Sequence, residues 1–220
     1  MTPRDSAPLL SDLAYERILQ ALFDQRVPMG SRVSQTDLVA VTGVPVGPVR
    51  DALKVLESDG IVVVHPRSGI EVIRPSAELV RATFQFRLII ERSAVRNFAM
   101  SAALTDLRAL RRLHEDHLGL YAAMDPNANV ADSLSRLEEA FHTPIVASLG
   151  NELVDASYRR LQLMARIVKD KGAVLPRAGQ TSLTEHLDVL DACLSRDPDA
   201  AEAALARHLG NALNRNLGLV

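Results

Sequence analysis

The chain of 220 residues has a single cysteine, Cys193, so no internal disulfide can staple it and a packed core must hold it together. Long apolar runs are missing. No stretch approaches the roughly 20 residues of a membrane span, and Met1–Asp12 contains no signal-peptide core, so a soluble, cytoplasmic protein with no membrane partner is expected. An excess of charge is missing as well. The 25 Lys and Arg stand against 27 Asp and Glu, and this near-neutrality excludes a crude nucleic-acid-coating role, which requires a strongly basic chain. There is no internal repeat and no low-complexity segment. What remains is an ordinary globular balance, 47% hydrophobic and 24% charged, which excludes intrinsic disorder. The length allows one large domain or two small ones.

The pattern changes near Pro75. Before it, Leu13, Ile18, Leu19 and Leu22 fall at helical spacings, which predicts a helix over Leu13–Phe23. Pro28 and Gly30 mark a turn, Gln35–Val41 suits a short helix, and Thr42-Gly43 breaks it. The next helix carries Pro48 in its first turn, an apolar stripe of Val49, Ala52, Leu53 and Leu56, and an end at about Ser58. Two β-rich runs follow, Ile61–Val64 and Ile70–Ile73, joined by a turn at His65–Gly69. After Pro75 six helices are expected: Ala77–Met100, Leu104–Ala123, Val130–Ser148, Glu152–Lys171, Thr181–Ser195 and Asp199–Asn216. The short connections favour antiparallel neighbours. The predicted class is mainly α: a winged helix-turn-helix over residues 1–75 and an all-helical antiparallel bundle over residues 76–220.

Two short helices and a hairpin make a DNA reader, because an α-helix fits the major groove and a hairpin tip reaches an adjacent groove or the phosphates. Arg50 and Lys54 share one face of the presumed reading helix, Arg32 precedes the bracing helix, and Arg67 sits at the wing tip. Singly, each is an ordinary solvated charge; the topology and the spacing together carry the reading. Residues 1–75 hold eight Lys or Arg against nine Asp or Glu, so binding must concentrate charge on one face and gain avidity from a dimer.

Gly43–Leu53, followed by Leu56-Glu57 and Gly60-Ile61, resembles the GntR family of bacterial transcription regulators. Pro28-Met29-Gly30, Val33-Ser34, Leu38 and Pro66–Gly69 extend the resemblance. It implies that Arg50 contacts the operator and that Gly69 lets the wing approach it closely. The chain departs from the family pattern in the reading turn. Val46 stands where an arginine would read a base, Gly47 where a hydroxyl would meet a phosphate, and Thr36 where the bracing helix would carry another arginine. A lost bidentate base contact removes roughly 1–3 kcal/mol of discrimination, so an operator different from the usual family sequence is expected.

The bundle half carries a possible metal set. Glu138 and His142 lie four residues apart on one helix face, His186 falls early in the fifth predicted helix of the bundle, and His208 falls in the last. Those helices can converge on an interior point. Three imidazoles and a carboxylate suit a divalent transition metal, zinc foremost, with nickel or another ion as alternatives. Spacing alone leaves open that these are surface or satisfied core residues. His114 and His117, beside Glu115 and Asp116, are expected at the surface.

Glu138–Asn151, Glu185-His186 and Arg207-His208-Leu209 resemble the FCD ligand-binding domain, which partners a GntR-type reader in FadR-like regulators. The resemblance implies a metal held by Glu138, His142, His186 and His208, in the shorter, six-helix VanR-like type of bundle. Arg87 and Glu91 match an Arg-x-x-x-Glu of the family. They are either an intrahelical ion pair worth a few tenths of a kcal/mol or a device that aims Arg87 at an effector carboxylate. Asn211, one turn after His208, is a second candidate for the effector cavity. The function expected is a homodimeric regulator, a repressor, whose affinity for operator DNA is set by a small carboxylate-containing metabolite at the metal. The competing reading is a metal-dependent hydrolase, although no separate general base or nucleophile stands at motif spacing.

Overall fold

A computed structural model describes residues 9–169 and 173–219. The chain divides between Ser76 and Ala77 into two compact units.

In the first unit, α1 (Leu10–Phe23), α2 (Gln35–Thr42) and α3 (Val46–Ser58) precede a small sheet. Ser34 starts α2 by accepting from the Asp37 amide at 3.1 Å, while Asp37 accepts from the Ser34 amide at 2.8 Å. This reciprocal cap satisfies two of the donors a helix start leaves open. Gly43 ends α2 in the left-handed region at φ 65°, so the chain turns directly into α3. Arg17 of α1 donates to the Thr42 carbonyl at 2.7 Å and pins that turn. Val49, Ala52, Leu53 and Leu56 form the buried face of α3, which packs on α1 and α2, where Ile18, Leu22 and Leu38 are buried as well.

The wing has β2 (Val62–His65) and β3 (Gly69–Val72) in antiparallel register, Val62 opposite Val72 and His65 opposite Gly69. A further strand, β1 (Arg32–Val33), pairs with the other edge of β3. It was not expected, because two residues carry no periodicity to read. Its presence explains Gly69. That residue has φ 95°, and a Cβ there would lie 2.9 Å from the Val33 carbonyl oxygen. Gly69→Ala is expected to destabilise the first unit by about 1–3 kcal/mol, read by urea denaturation. An unchanged midpoint would mean that β1 can move aside.

The second unit contains α4 (Ala77–Ser101), α5 (Leu104–Ala123), α6 (Ala131–Ala147), α7 (Glu152–Lys169), α8 (Pro176–Leu194) and α9 (Pro198–Leu217). α4 packs on α9, α6 and α7, while α8 packs on α5 and α9. The core runs through Phe84, Val95, Phe98, Phe141, Ile145, Val189, Leu190 and Leu205. α8 begins at Pro176, five residues ahead of the expected Thr181, since proline is suited to a first helical turn. Gly179 then falls inside the helix, where a Cβ would lie 2.7 Å from the Tyr121 ring. The close approach of α5 explains this glycine. The expected end of the fourth bundle helix, Asp170 and Lys171, lies outside the described residues.

Candidate metal centre and DNA-reading face

α6 places Glu138 and His142 one turn apart on its inner face, α8 supplies His186 and α9 supplies His208. The four offer ligand atoms that all lie within 4.8 Å of one another. The three histidines are buried, at 2%, 0% and 0% exposure.

The outer partners decide what these rings present. His142 Nδ1 donates to Glu91 Oε2 at 2.7 Å, and His208 Nδ1 donates to Glu185 Oε2 at 2.8 Å. His114 Nδ1 donates to the Leu110 carbonyl at 2.8 Å, which leaves His114 Nε2 free to accept from His186 Nδ1 at 3.1 Å. Each ligand ring therefore carries its hydrogen on Nδ1 and turns a bare Nε2 inward. His186 Nε2 and His208 Nε2 face each other at 3.3 Å, lone pair to lone pair. Among the described residues, His142 Nε2 is a buried polar atom without a hydrogen-bond partner. A cation answers all three lone pairs at once, and oriented Nδ1–H groups of this kind are the usual outer layer of a histidine metal site. The donor set fits a divalent metal.

The electrostatics agree. Burial pushes His186 well below its ordinary pKa and His208 down to about 4, so both rings are neutral near pH 7. For Glu138, burial acts upward but is outweighed, chiefly by the Lys169 ammonium, which holds its carboxyl well below the usual range. Lys169 at the end of α7 pairs with Glu138 Oε2, and Ser182 Oγ donates to Oε1 at 2.7 Å.

The expectation that His114 lies at the surface is wrong. It is fully buried, stacks edge-on against Phe141 and orients His186. The acidic neighbours Glu115 and Asp116 concealed it, yet its seven-residue spacing from both Leu107 and Tyr121 puts it on the buried stripe of α5. His117 is half-buried and donates to the Leu113 carbonyl. Lys169 and Ser182 carried no sequence signal.

Arg87 is buried, with Nε donating to Glu91 Oε1 at 2.7 Å and Nη1 without a partner. Glu91 also accepts from Tyr158 Oη at 2.8 Å. Asn211 is exposed rather than turned into the core; its amide donates to Glu185 Oε1 at 2.9 Å. With Arg215, which donates two bonds of 2.8 Å, it holds the carboxylate that orients His208.

In the first unit the expected reading residues are exposed except Gly69, which is partly covered in the sheet. Val46 opens α3 at 46% exposure, and no atom lies within 4 Å of the place a Cβ would take on Gly47. Thr36 lies in the first turn of α2. Arg50 donates to Gln35 Oε1 at 2.9 Å, which ties the reading helix to the bracing helix. Arg32 pairs with Glu71 at 3.1 Å and Lys54 with Asp51 at 2.8 Å. Such exposed pairs are worth little, so both cations are free to exchange partners for phosphate. Arg67 holds the wing turn at φ 66° with its side chain outward.

Comparison with known proteins agrees with this architecture. Residues 10–72 match the gntR family of bacterial regulatory proteins, and residues 82–211 match the FCD domain. The transcriptional repressor NanR of Klebsiella aerogenes is 27% identical over 221 residues, covering 91% of this chain and 82% of that repressor. A GntR transcriptional regulator from Rhodococcus sp. RHA1 superposes with a TM-score of 0.76 at 21% identity, over 96% of this chain and 98% of that one. The Zn2+-bound FCD domain of TM0439 superposes with a TM-score of 0.53 at 18% identity, over 66% of this chain and 96% of that domain. These relatives are regulators, and the hydrolase reading falls with that. The chain belongs to the gntR family of bacterial regulatory proteins, carries an FCD domain, and is a transcription regulator rather than an enzyme.

Proposed function

We propose that this regulator is a cytoplasmic homodimeric repressor that holds a divalent metal, zinc foremost, at Glu138, His142, His186 and His208, and that a small carboxylate metabolite bound there sets its affinity for operator DNA. The observation that carries this reading is the convergence of three inward, bare Nε2 atoms on one carboxylate. The Zn2+ reported for the TM0439 domain and the repressor role of NanR support it. When bound, the metal supplies a Lewis-acidic contact for a carboxylate oxygen. The chain's own residues orient the ligands, exclude water and, through Arg87, offer a guanidinium to the same anion. Because the ligands come from three helices, occupancy couples the positions of α6, α8 and α9. The effector then shifts the equilibrium only as far as its affinities for the two states differ.

Arg32, Arg50, Lys54 and Arg67 serve phosphates or base edges, with Thr36, Val46, Gly47 and Gly69 shaping the reading turn and the wing. Val46 at the start of α3 offers a methyl-sized contact to a thymine methyl in place of a bidentate guanine contact. The test of the metal-centred control is the full chain with Glu138, His142, His186 and His208 all replaced by Ala. It is expected to keep its helical content and bind operator DNA, with no response to the effector in fluorescence anisotropy. A retained response would remove the metal from the mechanism.

A further inference from the structure

α6 has a second face in use. Ala140 and Pro144 each lie two residues beyond a metal ligand, so they point to the opposite side of the helix from Glu138 and His142. There the end of α4, the start of α5 and α6 enclose a groove of about 350 Å³. Small-molecule sites have volumes of roughly 300–1,000 Å³ and often lie between the helices of a bundle. Its walls are mainly apolar, with Phe98, Leu110 and Pro144 among them.

The polar groups on those walls share one character. Ser101 Oγ donates its hydrogen to the Asn97 carbonyl at 2.8 Å, and Ser148 Oγ donates its own to the Ile145 carbonyl at 2.7 Å. Both hydroxyls therefore keep only lone pairs for a ligand. Among the described lining residues Asp106 alone carries a charge, and it is exposed. Pro144 creates a further acceptor. It stands inside α6 without an N–H, so the Ala140 carbonyl one turn back is denied its helical partner. Both residues border the groove. At the end of α4, by contrast, the Ala99 and Ala102 carbonyls are already answered by Arg196, at 2.7 Å each. Apolar walls, several acceptors and one negative charge select a ligand that brings donors and a positive charge. An acid of the kind proposed for the metal would find no side-chain donor among the described lining residues.

We infer that this groove is a second ligand site of the bundle, for a small primary amine with an apolar body, with Asp106 as the counter-charge and the Ala140 carbonyl as an acceptor. It is separate from the metal centre and gives Pro144 a purpose. A proline in mid-helix forgoes a backbone hydrogen bond, and here the carbonyl it frees becomes part of a binding surface.

The test uses the full chain, treated with chelator so that no amine can ligate a metal. It is titrated calorimetrically with phenethylamine, hexylamine and cyclohexylmethylamine, and with the matching alcohol and carboxylic acid of each. The expected result is that at least one amine binds, tenfold or more tightly than its own alcohol and its own acid. Asp106→Asn, an exposed and nearly isosteric change, is expected to erase the preference for amine over alcohol while leaving the melting temperature unchanged. Pro144→Ala returns a donor to the Ala140 carbonyl and is expected to weaken amine binding severalfold. Absence of binding by all three amines, equal binding of amine and alcohol, or a preference that survives in Asp106→Asn would overturn the site. Unchanged amine affinity in Pro144→Ala would remove the Ala140 carbonyl from it. Each of these outcomes leaves the metal-centred reading untouched, because its ligands lie on the other side of α6.

Discussion

Replacing Glu91 with Ala is expected to destabilise the second unit by about 3–5 kcal/mol, because it strands a buried guanidinium. Glu91 is fully buried and accepts from three donors: Arg87 Nε at 2.7 Å, His142 Nδ1 at 2.7 Å and Tyr158 Oη at 2.8 Å. Burial raises its pKa, but Arg87 and His142 outweigh that and hold the carboxyl far below the usual range. The same pair on an exposed helix face would contribute only a few tenths of a kcal/mol. The double substitution Arg87→Met with Glu91→Leu is expected to recover part of the loss, since two buried charges are then removed together while His142 and Tyr158 still lose their acceptor. The effect on the metal is separable. Glu91→Gln keeps the volume but offers one acceptor oxygen to three donors, so His142 loses its fixed orientation. Metal affinity is expected to fall about 10–100-fold, the usual cost of losing such an outer partner. Urea denaturation and Zn2+ titration check the two parts independently. A loss below about 1 kcal/mol for Glu91→Ala would show that Arg87 escapes to solvent.

Acid is expected to unfold the metal-free second unit well before carboxylates are titrated. The folded state holds His208 at a pKa of about 4, against an ordinary 6.5. Above pH 6.5 folded and unfolded chains bind no proton there, and the group contributes nothing to the pH dependence. As pH falls through 6.5 the unfolded chain takes up a proton that the buried ring refuses, so stability declines until about pH 4. That is about 3 kcal/mol from His208 alone, and His186 acts in the same direction. Glu185, whose carboxyl is held near 2 by Arg215 and His208 against the upward pull of burial, contributes its own loss only as pH falls below about 4.5. The window from 6.5 to 5 therefore isolates the histidines. Saturating metal, which binds the folded state alone, adds roughly 4 kcal/mol at a thousandfold excess over its dissociation constant and shifts the acid transition downward. Melting curves of chelator-treated and Zn2+-loaded protein between pH 7.5 and 4.5 test this. A flat metal-free profile from 7 to 5 would contradict the burial of neutral imidazoles.

Sequence and structure divide the reading of the centre between them. The Glu138–His142 pair was legible because helical periodicity places residues four apart on one face. His186 and His208 were legible through the motifs around them. His114 was hidden by its acidic neighbours, although the stripe it shares with Leu107 and Tyr121 was present in the chain. Lys169 was beyond reach, since a lysine in the last turn of a helix is the ordinary complement to the helix dipole. Only the packing of α6 beside α7 sets Glu138 against it.

The reading head shows the same division. The order helix, turn, helix, hairpin follows from local signals: the Ser34 cap, Gly43 as a left-handed stop, and an apolar stripe on α3. The loss of arginine at Val46 is likewise a fact of sequence. The strand β1 and the reason for Gly69 are tertiary, because a two-residue strand exists only through its partner. By itself, then, the sequence determined the family, the change of pattern near Pro75 and the identity of the metal-ligand candidates, all carried by local composition, by spacings within single helices or by short motifs. Tertiary structure decided which nitrogen of each ring faces inward, whether Arg87 and Glu91 are a surface pair or a buried one, and which cation stands beside Glu138. Those properties depend on burial and on partners tens of residues away, and no local pattern encodes either.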